Sequence, residues 1–245
     1  MRYSKAPIKE AVFDIRVGSL TNCNIDQLEL IHDAIKEKYP NKRKAINFSA
    51  KLEIKDEKQI LNEESSNILG FIYSNTDNTR QVQFRLDGFT YNLISPYTDW
   101  SDFSSEAFRL FEIYKTNFKP NNIIRIALRY INRIELPLPF NDFSEFILNM
   151  PPIPNCLPQS FNHFFMQINV PCGKVDTSVV LTETIEPISN NRLPFILDID
   201  VFKLGQINDS TEILKSEFEE LRTIKNSIFE ETITQKLRDI FNNGN

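Results

Sequence analysis

The segment Arg125–Pro137, RIALRYINRIELP, places Arg125, Arg129 and Arg133 at intervals of four residues. In a β-strand, whose side chains alternate between two faces, those arginines and Glu135 share one face. Ile124, Ile126, Leu128, Tyr130, Ile134 and Leu136 share the other. A row of guanidinium groups must meet water, carboxylates or an anionic ligand. Two further predicted strands supply matching carboxylates. Residues 8–17 carry Glu10, Asp14 and Arg16 opposite Ala11, Phe13, Ile15 and Val17. Residues 195–202 carry Asp198 and Asp200 opposite Leu197, Ile199 and Val201.

If these strands are neighbours, Glu10, Asp14, Arg129, Arg133, Asp198 and Asp200 form one charged surface. Three chemistries fit it. The plainest is a lattice of cross-strand ion pairs on a solvated or helix-covered face. The second is a cleft where arginine, which suits phosphate or carboxylate bidentately, holds a small anion while carboxylates position it. The third is a docking or self-association surface, where partly buried charges set a partner's register. An enzymatic alternative uses Asp198, Asp200 and Glu10 to bind a divalent metal and Arg129 and Arg133 to hold the phosphate of a nucleotide-like substrate. Carboxylates at i, i+2 are common on ordinary strands, and the adjacent arginines would oppose a metal cation. No catalytic residue and no cofactor is therefore assigned.

Other chemistry finds little support. The six glycines, at 18, 70, 88, 173, 205 and 244, are too scattered to build a phosphate-cradling loop. Two histidines, His32 and His163, with no Cys-x-x-Cys motif, argue against a zinc site. His163 lies in a predicted aromatic strand and reads as a core or edge residue. The three cysteines, Cys23, Cys156 and Cys172, are odd in number and far apart, as expected of reduced thiols in a cytoplasmic protein. A net charge of −5 argues against a nucleic-acid partner, and Lys42-Arg43-Lys44, the one compact basic run, reads as a solvated loop. No run reaches the roughly 20 apolar residues of a membrane span, and the charged N-terminus does not read as a signal peptide.

The elements that would position these residues read as α+β. A strand at 8–17 leads to a helix capped by Asn24 and Gln27, with Leu28, Ile31, Ile35 and Tyr39 on one side and Pro40 at its end. Residues 45–55, 69–75, 80–86 and 89–94 read as an antiparallel meander, with a polar loop at 56–67 and a tight turn at Asp87-Gly88. Ser101 is the expected cap of a helix whose stripe runs from Phe103 to Phe118, with Tyr97 and Trp100 stapling it to the sheet. After the arginine-bearing strand, 143–149 suggests a short helix, and prolines at 151, 152, 154 and 158 an extended connection. Strands at about 163–171, 177–186 and 194–204 precede one long helix over 210–241, opened by an Asp209–Glu212 capping box. Antiparallel sheets backed by helices follow, in a single unit over 1–245 whose possible halves are 1–120 and 121–245. The 20 phenylalanines are enough for a substantial core.

Five segments, APIKEAVFDIRV (6–17), DGFTYNLISPYTDW (87–100), LRYINRIELP (128–137), LDIDVF (197–202) and IFEETITQKLRDIF (228–241), resemble a sporadically distributed bacterial family of about this length and of uncharacterised function. The resemblance runs from end to end and carries over no catalytic residue. The patchy distribution of that family implies an accessory gene, such as those of mobile-element or defence cassettes. Taken together, the residues lead to the expectation of a cytoplasmic, homodimeric interaction or regulatory protein that binds a protein partner or a small anion through its charged sheet face.

Overall fold

The computed structural model describes residues 3–243 apart from 19, 21–23, 56, 57, 95 and 159–161, with backbone alone at 47–67 and 243. It contains strands β1 (Ile8–Val17), β2 (Asn41–Lys55), β3 (Lys58–Ser74), β4 (Arg80–Arg85), β5 (Gly88–Ile94), β6 (Ile123–Pro137), β7 (Phe165–Pro171), β8 (Thr177–Ile185) and β9 (Arg192–Ile207). The helices are α1 (Ile25–Leu30), α2 (Trp100–Phe118), α3 (Thr211–Thr232) and α4 (Gln235–Asn243). All nine strands form one sheet in the order β2-β3-β4-β5-β1-β6-β9-β8-β7, and every pairing is antiparallel.

The strand nearest the N-terminus therefore lies in the middle of the sheet. Phe13 pairs with Tyr91 of β5 on one side and Leu128 of β6 on the other. Gly88, where β5 begins, has φ +152°, and a Cβ there would stand 2.3 Å from the Ile15 carbonyl oxygen of β1. Only glycine lets β5 approach β1 this closely.

The α+β class is as expected, but one sheet replaces the expected several. It runs unbroken across residue 120 through the β1–β6 pairing, and a single cluster of buried side chains draws on both parts of the chain. Phe13 of β1 stacks on Phe218 of α3 with ring centroids 3.7 Å apart. Tyr91 of β5 stacks on Phe103 of α2 at 5.4 Å, and Tyr73 of β3 donates its hydroxyl to the Leu28 carbonyl of α1. Thus α1, α2 and α3 cover the sheet face that carries Phe13, Tyr73 and Tyr91. Leu28, Ile31, Ile35 and Tyr39 are all buried, although α1 continues only as a short 3-10 turn, Ile31–Ala34.

Several local expectations are corrected. The 210–241 helix is broken at Ile233, whose backbone is extended and bridges Ile147. The run Thr232-Ile233-Thr234 is β-branched, which weakens helix, and Thr234 donates its hydroxyl to Glu145 O and its amide to Phe146 O. That docking explains why 143–149 forms only a 3-10 turn, Phe143–Glu145. Asp99 rather than Ser101 caps α2, accepting from the Asp102 amide. Ser210 begins α3 with no side-chain cap, while Asp209 pairs with Lys115. Residues 58–67, expected in a polar loop, extend β3, and Lys42-Arg43-Lys44 lies exposed on β2 rather than in a loop. His163 is exposed and precedes β7 instead of lying in it.

Glu183 of β8 is an acid on the covered face, where another buried polar strand residue, Asn132, is hydrogen-bonded. Glu183 pairs in register with Leu197 on the helix-covered face, is 0% exposed, and neither carboxylate oxygen has a hydrogen-bond partner. Burial pushes its carboxyl up to about 7. An unfolded glutamate titrates near 4.3, so between about pH 4.5 and 7 the folded chain holds a proton that the unfolded chain has lost. This group's contribution to stability must then fall as pH rises through that window, by roughly 4 kcal/mol in total, and level off above it. Urea unfolding of the Glu183→Gln variant at several pH values should show this part of the pH dependence removed. An identical slope in wild type and variant would refute the assignment.

Candidate functional site

The three charged strands are neighbours. In the order β1-β6-β9, Val12 pairs with Arg129, Asp14 with Ala127, and Arg129 in turn with Asp200. Strand alternation therefore brings Glu10, Asp14, Arg129, Arg133, Asp198 and Asp200 onto one face, opposite the aromatic core. Among the described residues, no helix covers that face. A bulge at Ile124 marks its lower end: the β6–β9 register slips between Ile123 and Arg125, so Ile123 turns inward and Ile124 is exposed. Ile124 thus departs from the apolar side on which strict alternation had placed it.

Asp14 is the centre of the site. It is 7% exposed, yet all its acceptor capacity is used. Oδ1 accepts from Thr90 Oγ1 at 2.6 Å and Arg85 Nη2 at 3.2 Å. Oδ2 accepts from Arg125 Nη1 at 3.0 Å and Arg16 Nε at 3.2 Å. These donors come from β5, β4, β6 and β1. Arg85 and Arg16 both continue to Asp87 in the β4–β5 turn, and Arg125 continues to Asp200 Oδ2 at 3.2 Å. The Arg125 guanidinium also lies over the Phe202 ring, 4.9 Å from its centroid.

The remaining candidate residues form separate groups. Arg129 holds Asp198 bidentately, with Nε–Oδ1 at 2.8 Å and Nη2–Oδ2 at 2.5 Å. That bond holds the guanidinium above its ordinary proton affinity. Arg133 bonds Glu186 at 2.9 Å and also Glu135. Glu10 accepts from Asn92 Nδ2. The trio Glu10, Asp198 and Asp200 is thus dispersed over different partners, and among the described residues no three His, Cys, Asp or Glu side chains come together to hold a metal.

Asp200 is the exception to this complete pairing. Its Oδ1 is buried and has no hydrogen-bond partner. Burial raises its carboxyl above the usual carboxylate range, outweighing the opposing pull of Arg125 and Arg129. Asp200 and Asp14 line a shallow cavity of about 550 Å³ with Arg16, Arg125, Arg129 and Ile124. Oδ1 is closed off from the cavity by its neighbours, so a hydrogen-bond donor that shifted one of them would meet an acceptor already stripped of water. An anion would instead have to compete with carboxylates already bonded to the guanidinium groups.

Arg85, Thr90 and Glu186 belong to this site but were not singled out from the sequence. Arg85 and Thr90 flank the recognised Asp87-Gly88 turn, yet their role depends on β5 lying beside β1. Nothing local to either segment encodes that adjacency.

Comparisons with family models, with curated proteins and with solved structures give no match to this chain.

The pairings differ in burial, and this separates their energetic effects. Asp14 and Arg85 are both buried, so Asp14→Ala leaves a desolvated guanidinium with only the half-exposed Asp87 as its counter-charge and should cost about 3 kcal/mol. Arg133 and its partners are each at least a third exposed, so Arg133→Ala should cost less than about 1 kcal/mol. Urea denaturation midpoints check the ranking; equal losses would show that burial does not set the worth of these pairs.

Proposed function

We propose that this chain is a non-catalytic interaction protein that docks a protein partner on the open face of its sheet. The observation that carries this reading is the buried, unpartnered Asp200 Oδ1 in a cavity on an uncovered sheet face. The partner would bring a hydrogen-bond donor to Asp200, flanked by apolar side chains that cover Ile124 and Leu204, both exposed. The charges around the cavity sit on adjacent strands and are fixed by their own ion pairs. Such a rigid pattern gives a partner its register and rejects wrong ones more than it adds raw affinity. The protein-partner part of the initial expectation is better served here than the small-anion part, because the arginines already carry carboxylates.

Native mass spectrometry of the full chain purified gently from its own host tests this. Wild type should retain a protein partner or a second copy of itself. The triple variant Arg129→Met, Asp198→Asn, Arg133→Ala removes one pair whole and one exposed guanidinium, so it should keep its melting temperature within a few degrees and lose the partner. Retention of the same partner by the folded variant, or a bare wild-type monomer, would overturn the proposal.

A further inference from the structure

A second cavity lies across the sheet from the charged face. It is about 620 Å³ and sits where the segment preceding β1, the β5–α2 loop, β6 and α3 meet. Lys225 of α3 lines it and is only 9% exposed. Among the described residues no carboxylate bonds its Nζ, which rests 4.0 Å from the centroid of the Tyr130 ring. Burial, aided by the nearby Arg222 guanidinium, brings its ammonium down to about 7. A buried ammonium facing only an aromatic ring is an expensive arrangement, and an anion delivered to it would relieve the cost.

The other charged groups around the cavity are occupied. On α3, Arg222 bonds Glu219 at 2.9 Å and lies over the Trp100 ring. Glu230 accepts from Tyr3 at 2.8 Å and from Arg238 of α4 at 3.0 Å. In the β5–α2 loop, the Asp99 carboxylate caps α2. Tyr97 and Tyr130 are hydroxyl partners at 2.9 Å, and burial raises Tyr130 well above its ordinary value, so it offers no negative charge. Lys225 is the cation here that no carboxylate bonds among the described residues; Glu230 attracts it only from beyond ion-pair distance, against the effects of burial and Arg222. The walls beside it are flat and aromatic, from Tyr97, Trp100 and Tyr130.

We propose that this cavity binds small carboxylates with a flat apolar body, the carboxylate seated on Lys225 Nζ with Arg222 beside it and the body against Tyr130 and Trp100. This site is independent of the partner surface: it uses the opposite side of the sheet and none of the same residues. Trp100 is the only tryptophan in the chain, so its fluorescence reports this cavity alone.

The test titrates the full-length protein with benzoate and, as the uncharged counterpart, benzamide. Benzoate should change Trp100 emission saturably near pH 6, and its affinity should fall about tenfold or more by about pH 8.5 as free Lys225 loses its proton. Benzamide should bind more weakly near pH 6 and show no such pH dependence. Lys225→Met, which replaces a buried cation by an apolar chain of similar length, should abolish the benzoate preference without lowering the melting temperature. If that variant fails to fold, Arg222→Gln should weaken benzoate severalfold and leave benzamide unchanged. Equal responses to the two probes, a benzoate response that survives Lys225→Met, or no saturable response to millimolar benzoate would overturn the proposal.

Discussion

The sheet is organised around one buried carboxylate. Removing a charge from water costs several kcal/mol even after relaxation, and Asp14 recovers that cost only because four donors converge on it. Those donors lie on four strands, so the bonds form only when β4, β5, β1 and β6 are all in place and in register. A slip of one residue in β1 would turn Asp14 into the aromatic core and Phe13 out to the charged face. The ion-pair lattice thereby does for the open face what side-chain packing does for the covered one. It makes a single alignment far better than its neighbours.

The two faces of the sheet obey different physics. On the covered side, Phe13, Phe89, Phe103 and Phe218 meet in stacked and edge-to-face contacts that exclude water and join α2 and α3 to the central strands. On the open side, guanidinium groups and carboxylates satisfy one another across strands. Each face has a residue that does not fit its pattern, and on the open face Asn92 Oδ1 is also buried without a partner. Glu183 is an acid in the hydrophobic layer, and Asp200 is an incompletely paired acid in the polar layer. Both stand on the β8–β9 side of the sheet, Asp200 joined to the fully bonded Asp14 through Arg125.

Period-two patterning was enough to read the three charged strands and to separate their faces. Each side chain reports its own face, and β1, β6 and β9 alternate strictly over most of their length. The Asn24–Gln27 capping box was legible for the same reason, because it is local, and so was a tight turn near Asp87, although it falls at Leu86-Asp87, one residue before the expected Asp87-Gly88. What escaped depends on distant segments. The break at Ile233 needs the 143–148 strip to receive it, and the bulge at Ile124 needs the register of β6 against both its neighbours. The contributions of Arg85 and Thr90 to Asp14 are visible only once β5 lies against β1. Lys225 was equally hidden, since a lysine in an amphipathic helix normally faces water.

The central position of β1 also governs how the chain can assemble. Asp14 pairs with Thr90 and with Ala127, so the strand nearest the N-terminus waits for partners that are far away in sequence. During synthesis, β1 emerges long before either neighbour exists, with Phe13 and Ile15 unprotected. The β4–β5 hairpin can close early, but the middle of the sheet stays open until β6 has been made. Closing such long loops before their contacts can reward the loss of chain entropy makes folding slow. The charged side chains that alternate along β1 then act as solubilising guards, keeping a strand with no partner from pairing with the wrong one.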